Sequence, residues 1–138
     1  MRQVDDEVRT LLLVAAQDMA ILRVILDAPE VEIEGVCFHA QLCVEKALKA
    51  MLAMHGVVYE RTHNLVSLAD TLADLGVATP IDPEVLLRLN PCAVTFRYDD
   101  MEIPNFTRQE VMTIATRILD WADKEADSEA DSAIAREG

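Results

Sequence analysis

The chain reads as an all-α protein, an antiparallel up-and-down helical bundle of about five helices. Three observations predict this class. Hydrophobic residues make up 51% of the 138 positions but aromatics only 4%, so the apolar mass is Leu, Ala, Val, Ile and Met. Most of these lose little rotamer freedom in a helix. Only four glycines occur, whereas a sheet protein of this length needs more Thr, Tyr and Gly-bearing turns. Apolar positions also recur at spacings of three and four over long windows. The length suits one domain with one core. We assign residues 1–126 to that domain and 127–138 to an acidic, Ala- and Ser-rich tail expected to be frayed or disordered.

The first helix is expected from about Val4 to Leu26. Val4, Val8, Leu11, Leu12, Ala15, Met19, Leu22 and Leu26 form its main stripe, and Leu13, Val14, Ile21 and Ile25 widen it. A helix this apolar around its circumference needs cover on two sides, which a lone five-helix bundle does not supply, so a homodimer is expected. Pro29 lies in the link to a second helix running from about Val31 to His55, with Gly56 as its left-handed stop. A third helix spans roughly His63 to Leu75, capped by Thr62 or Asn64 and stopped by Gly76. Asp82 and Pro83 start a fourth that reaches Leu89, and Pro91 interrupts the chain before Phe96. A polar turn with Asp99, Asp100 and Pro104 follows. Thr107-Arg108-Gln109-Glu110 is a capping box, from which a fifth helix presents Val111, Ile114, Ala115, Ile118 and Ala122 inward and ends near Trp121–Lys124.

A net charge of −13 argues against binding DNA or RNA by phosphate neutralisation. The excess is uneven. Residues 1–34 carry eight acids against three bases, and residues 123–138 six against two. Between His39 and Arg61, by contrast, Lys46, Lys49 and Arg61 face only Glu45 and Glu60. His39, His55 and His63 lie in or just beyond that window, where an anion is locally welcome. The three cysteines show no metal-type pairing: Cys37 and Cys43 point about 120° apart on a helix, and with Cys92 they are expected to be buried free thiols. Asp5, Asp6 and Glu7 stand where a secretory leader would be basic, and Gln17, Asp18 and Arg23 interrupt the longest apolar run. A cytoplasmic protein without a membrane span is expected.

The second helix carries the most information. Val36, Ala40, Cys43, Val44, Ala47, Met51 and Met54 share an apolar face. Phe38, His39, Gln41, Glu45, Lys46 and Lys49 fall on the other half, with Leu42 among them. A merely solvated face does not mix Phe and Leu with an imidazole, an amide and two lysines. The mixture suggests a half-covered contact face.

The run Phe38-His39-Ala40-Gln41, continuing as Glu45-Lys46-Ala47-Leu48-Lys49-Ala50, resembles the signature helix of the HEPN domain family. Thr62-His63-Asn64-Leu65 and Phe96-Arg97-Tyr98 resemble two further family blocks, in the right order, over about residues 5–125. The resemblance implies a small all-α domain, commonly homodimeric. Such domains often pair with a minimal nucleotidyltransferase, as a substrate-binding subunit or half of a toxin–antitoxin-like module. Many members are metal-independent ribonucleases carrying Arg followed four to six residues later by His. No histidine here follows an arginine at that spacing, so the ribonuclease mechanism does not come with the resemblance.

The ligand-binding set is therefore Phe38, His39, Gln41, Glu45, Lys46, Lys49, His63, Arg97 and Tyr98. Arg97 offers a planar fork for phosphate, the lysines add point charges, and Phe38 or Tyr98 gives a base a surface to stack on. His39 and His63 donate hydrogen bonds. Each has a plainer use: His39 in packing, Lys46 and Lys49 in solvent or as the Glu45–Lys49 helical ion pair, Gln41 and Glu45 bonded to each other or to Arg97, His63 at a helix start. No activated nucleophile, carboxylate cluster or metal site is legible, so no catalytic residue and no cofactor are assigned. The expected function, as the resemblance implies it, is a nucleotide-binding or substrate-binding accessory subunit paired with a minimal nucleotidyltransferase, a binder rather than a catalyst; the rivals are a divergent endoribonuclease toxin and a plain helical interaction module.

Overall fold

The computed structural model describes residues 2–59, 61–90 and 106–137. Among these residues it shows no strand and five helices: α1 (Arg2–Ile25), α2 (Ile33–Met54), α3 (Leu65–Asp74), α4 (Pro83–Leu89) and α5 (Arg108–Glu137). The interruption expected at Pro91, the polar turn before Phe106, and Cys92, Arg97 and Tyr98 lie outside the described residues.

The local signals act as the chemistry of caps and stops requires. Asn64, rather than Thr62, caps α3, its Oδ1 accepting from the amides of Val66 at 3.1 Å and Ser67 at 3.2 Å. Asp82 caps α4 by accepting from the Glu84 amide at 2.9 Å, with Pro83 in the first turn. The capping box is closed both ways: the Glu110 amide donates to Thr107 Oγ1 at 3.1 Å, and the Thr107 amide to Glu110 Oε1 at 3.3 Å. Gly56 and Gly76 adopt φ of 73° and 81°, the left-handed conformation that ends a helix at little cost only for glycine.

Helix α5 departs from expectation. It passes its expected end near Trp121–Lys124 and stays helical to Glu137. The tail has too few large apolar groups to build a core. Even so, its Ala, Glu and Arg are strong helix formers, and neither Gly nor Pro interrupts the run before Gly138. A helix already nucleated upstream therefore propagates through it.

Helix α2 is the axis of the bundle, packed against α1, α3 and α5; α1 also meets α5, and α3 meets α4. Its expected core face is buried from Val36 to Met51, and Leu48, Ala50, Leu52 and Ala53 are buried as well. α1 contributes Ala15, Met19 and Leu22, and α5 contributes Val111, Ala115, Ile118 and Ala122. The remaining side of α1 is open. Leu13 is 61% exposed and Val24 80%, with Val14 and Ile21 also exposed. No helix among the described residues is long and apolar enough to cross a membrane.

Arg108, in the first turn of α5, holds the end of α1 in place. Its Nη1 donates to the carbonyls of Ile25, Leu26 and Ala28 at 3.2, 2.9 and 3.2 Å, and its Nη2 donates to the carbonyl of Val31. Ile25 ends α1 and the other three lie in the link beyond it, where the helical ladder no longer supplies amides, and a guanidinium is the side chain best able to bond several carbonyls at once. Arg108→Met should cost about 2–3 kcal/mol in urea unfolding. Arg108→Lys should recover only a minor part of it, because one ammonium cannot span the four acceptors.

Candidate functional site

The polar side of α2 is built around one carboxylate. Gln41, Glu45 and Lys49 follow each other one turn apart, and all three are buried: Gln41 and Glu45 are 0% exposed and Lys49 is 8%. Glu45 Oε2 accepts from Lys49 Nζ at 3.0 Å and from Lys46 Nζ at 3.4 Å. Its Oε1 takes His63 Nδ1 at 2.7 Å and Gln41 Nε2 at 3.3 Å. The second Gln41 hydrogen goes to the His63 carbonyl at 3.0 Å. A carboxylate only accepts, so His63 carries its hydrogen on Nδ1.

The link after α2 brings His63 to this point by running back along the helix. Lys49 Nζ lies 5.7 Å from the centre of the Tyr59 ring, and Tyr59 Oη donates to Glu7 of α1 at 2.8 Å. Four residues later, His63 reaches the level of Glu45 and Gln41, and Asn90 Oδ1 accepts from the Leu65 amide at 2.7 Å to fix the start of α3. Most of the His63 side chain, 67% of its surface, remains exposed. Since Nδ1 is held inward, Nε2 is the nitrogen left to meet whatever approaches.

Electrostatics follow the geometry. Burial alone would push the Glu45 carboxyl up. The hydrogen bonds from His63 and Lys49, with the charges of Lys49 and Lys46, outweigh burial and hold it below its usual value of 4.5. Burial, then Glu7, pushes the Tyr59 hydroxyl up to about 12, so it stays a donor at neutral pH. Cys43 is driven up to about 12 by burial and then by Asp18 and Asp123. It is an inert buried thiol, as the sequence implied, and Cys37 is likewise buried and free of disulfide.

The set expected from sequence is thus divided. Gln41, Glu45, Lys46, Lys49 and His63 come together, but three of them are buried and bonded to one another. His39 belongs to a second grouping, its Nδ1 3.3 Å from Asp18 Oδ1 on α1, with Phe38 edge-on to its ring at 5.3 Å between centroids. Phe38, Leu42 and Lys46 form a half-buried ridge at four-residue spacing. Arg97 and Tyr98 lie outside the described residues. Sequence reading missed Tyr59, Glu7 and Asp18, whose roles depend on contacts between elements. No group of His, Cys, Asp and Glu among the described residues could hold a metal ion. A hollow of about 320 Å3 lies elsewhere, between α4 and the start of α5, where the Arg88 guanidinium sits 4.3 Å above the Phe106 ring.

Glu45→Gln should destabilise the fold by about 3 kcal/mol, because it leaves the Lys49 ammonium buried without its counter-charge. The pH dependence has a definite sign. A lowered folded value means that the unfolded chain binds more protons. The stability Glu45 contributes is then complete above pH 4.5 and is lost as pH falls through the folded value. Urea midpoints taken from pH 7 to pH 3 should fall less steeply at the acid end in the variant than in the wild type.

Comparison with known proteins places this architecture. The HEPN domain profile matches residues 8–125. The fold is similar to the crystal structure of ST0689, an archaeal HEPN homologue, at a TM-score of 0.58 and 22% identity, covering 86% of this chain and 97% of that one. A comparison with curated proteins finds no match. With five helices among its described residues and a family profile spanning most of its length, this chain belongs to the HEPN domain family.

Proposed function

We propose that this HEPN protein is a non-catalytic, cytoplasmic subunit that binds a nucleotide and serves a minimal nucleotidyltransferase, in a toxin–antitoxin-like pair. One observation carries the reading. Along α2, an apolar ridge of Phe38 and Leu42 leads to Lys46, and His63 is oriented beside it by the buried Glu45. Phe38 and Lys46 are eight residues apart, about 12 Å of helix rise, which suits a base at one end and phosphate at the other. The basic window is local on an otherwise acidic chain, so attraction for a small anion does not extend to a long polyanion.

The chain acts as a homodimer in this reading. HEPN domains often form dimers, and the exposed Leu13, Val14, Ile21 and Val24 supply an uncovered apolar strip on α1. Light scattering should find a dimer for the wild type and a monomer for Leu13→Asp/Val24→Asp with its helical circular dichroism unchanged; a wild-type monomer would remove the strip as an interface.

Calorimetry against ribonucleoside mono- and triphosphates tests the ligand, and co-purification with a nucleotidyltransferase encoded beside it tests the partner. Micromolar binding, weakened about tenfold by Lys46→Gln, is expected. Silence across the nucleotides would leave a plain interaction module. RNA cleavage lost in Arg97→Ala would instead make the protein a ribonuclease.

A further inference from the structure

We propose that the outward ridge of α2 is a seam between two copies of this chain, packed antiparallel about a two-fold axis so that Glu34 of each copy meets Lys46 of the other. The inference rests on the homodimer reading above and deepens it, by naming the surface through which the copies meet.

The ridge has a pattern that fits itself. Glu34, Phe38, Leu42 and Lys46 follow one another at four-residue spacing and are half-buried. Between Gly35 and Ala53 every other residue of α2 except His39 is buried, so these side chains are what the helix shows to the outside. Residues at i and i+4 line up as a ridge, and two such ridges packed side by side give the commonest crossing of helices in globular proteins. Along this ridge the chemistry runs acid, apolar, apolar, base. Turned end for end, that order is its own complement. Glu34 falls opposite the second copy's Lys46 and Phe38 opposite its Leu42, and the two-fold repeats both matches. Glu34 and Lys46 are separated by about 18 Å of helix rise, which puts an ion pair at each end and the apolar contact between them. Parallel packing would instead set acid on acid and base on base.

Both end charges can serve a partner. Glu34 makes no ion pair among the described residues. From Val24 to Val44 the chain carries Asp27, Glu30, Glu32 and Glu34 without a Lys or Arg, so that end attracts a cation. At the other end Lys46 is the surplus cation. Glu45 is already held by Lys49 at 3.0 Å and His63 at 2.7 Å, whereas Lys46 stands off at 3.4 Å with 28% of its side chain exposed.

The ridge also continues onto α1. His39 Nδ1 lies 3.3 Å from Asp18 Oδ1, and Val14 and Ile21 sit one turn to either side of Asp18. Exposed at 39% and 41%, these two carry the apolar seam from α2 to the strip on α1. One face built from two helices therefore meets its copy. A second copy and a nucleotide exclude one another on this ridge, so the ridge is open to a ligand in separated copies.

Sedimentation equilibrium on the full chain tests the seam, at low ionic strength where ion pairs count most. Glu34→Lys alone and Lys46→Glu alone should each pair at least about tenfold more weakly than the wild type, since each sets like charges together at both ends. Mixed one to one, the two variants regain both ion pairs and should associate within about threefold of the wild type. Circular dichroism melting checks that both are folded. Because Lys46→Glu adds a charge beside Glu45, a second measurement avoids that position: copies carrying Phe38→Cys, mixed with copies carrying Leu42→Cys and oxidised, should be joined by a disulfide across the seam. Glu34→Lys pairing like the wild type, folded variants whose mixture pairs no better than either alone, or no cross-link in the oxidised mixture would each overturn the seam and leave the α1 strip as the homodimer interface. A wild type that stays monomeric at every concentration would overturn both.

Discussion

Everything on the polar side of α2 depends on Glu45 remaining ionised where no water reaches it. An isolated carboxylate in that position would be neutralised or would unfold the helix from its neighbours. It persists because two ammonium groups, an imidazole and an amide converge on its two oxygens. The convergence also fixes the chain around it: the His63 contact closes the link between α2 and α3, and Lys49 with Tyr59 and Glu7 carries the same arrangement toward the start of α1. Removing the carboxylate would therefore loosen three elements at once.

This constraint separates groups that shape the site from groups that can touch a ligand. Gln41, Glu45 and Lys49 are spent on one another inside the protein. Lys46 and His63 keep one side on the carboxylate and one toward solvent, so the buried charge sets their position and the imidazole's tautomer. Protein surfaces use this division widely, since a buried support costs mobility only once and then orients every encounter. It also explains why a chain of net charge −13 can carry a local cationic spot. The acids that dominate the total lie in the first 34 residues and in the outer half of α5.

Most of the fold was legible because it is governed by neighbours in sequence. Glycine at positive φ, Asn64 and Asp82 as caps, the Thr107–Glu110 box and the inward face of α5 are all local events, and so is the Glu45–Lys49 pair at one helical turn. The helical periodicity named α2's core face correctly but read Gln41, Glu45 and Lys49 as part of a half-covered contact face. Polarity was read as partial accessibility. On a central helix wrapped by α1, α3 and α5 that equation fails, because polar residues can be buried if they satisfy each other. The partners that satisfy them were out of reach of a sequence reading: His63 is eighteen residues from Glu45, Asp18 twenty-one from His39, and Arg108 about eighty from the carbonyls it binds. Nothing in the local pattern around those residues signals such pairings. The length of α5 was misjudged for the opposite reason, since a composition unable to build a core can still propagate a helix.

The proton on His63 reports on this account directly. Long-range 1H–15N correlation spectra of the imidazole, recorded at pH 8, distinguish the two neutral tautomers. The account predicts a protonated Nδ1 and a bare Nε2 in the wild type. In Glu45→Gln it predicts a shift toward the Nε2-protonated form that predominates in free imidazole side chains. An Nε2-protonated His63 in the wild type, unchanged by that substitution, would contradict the arrangement on which the site is built.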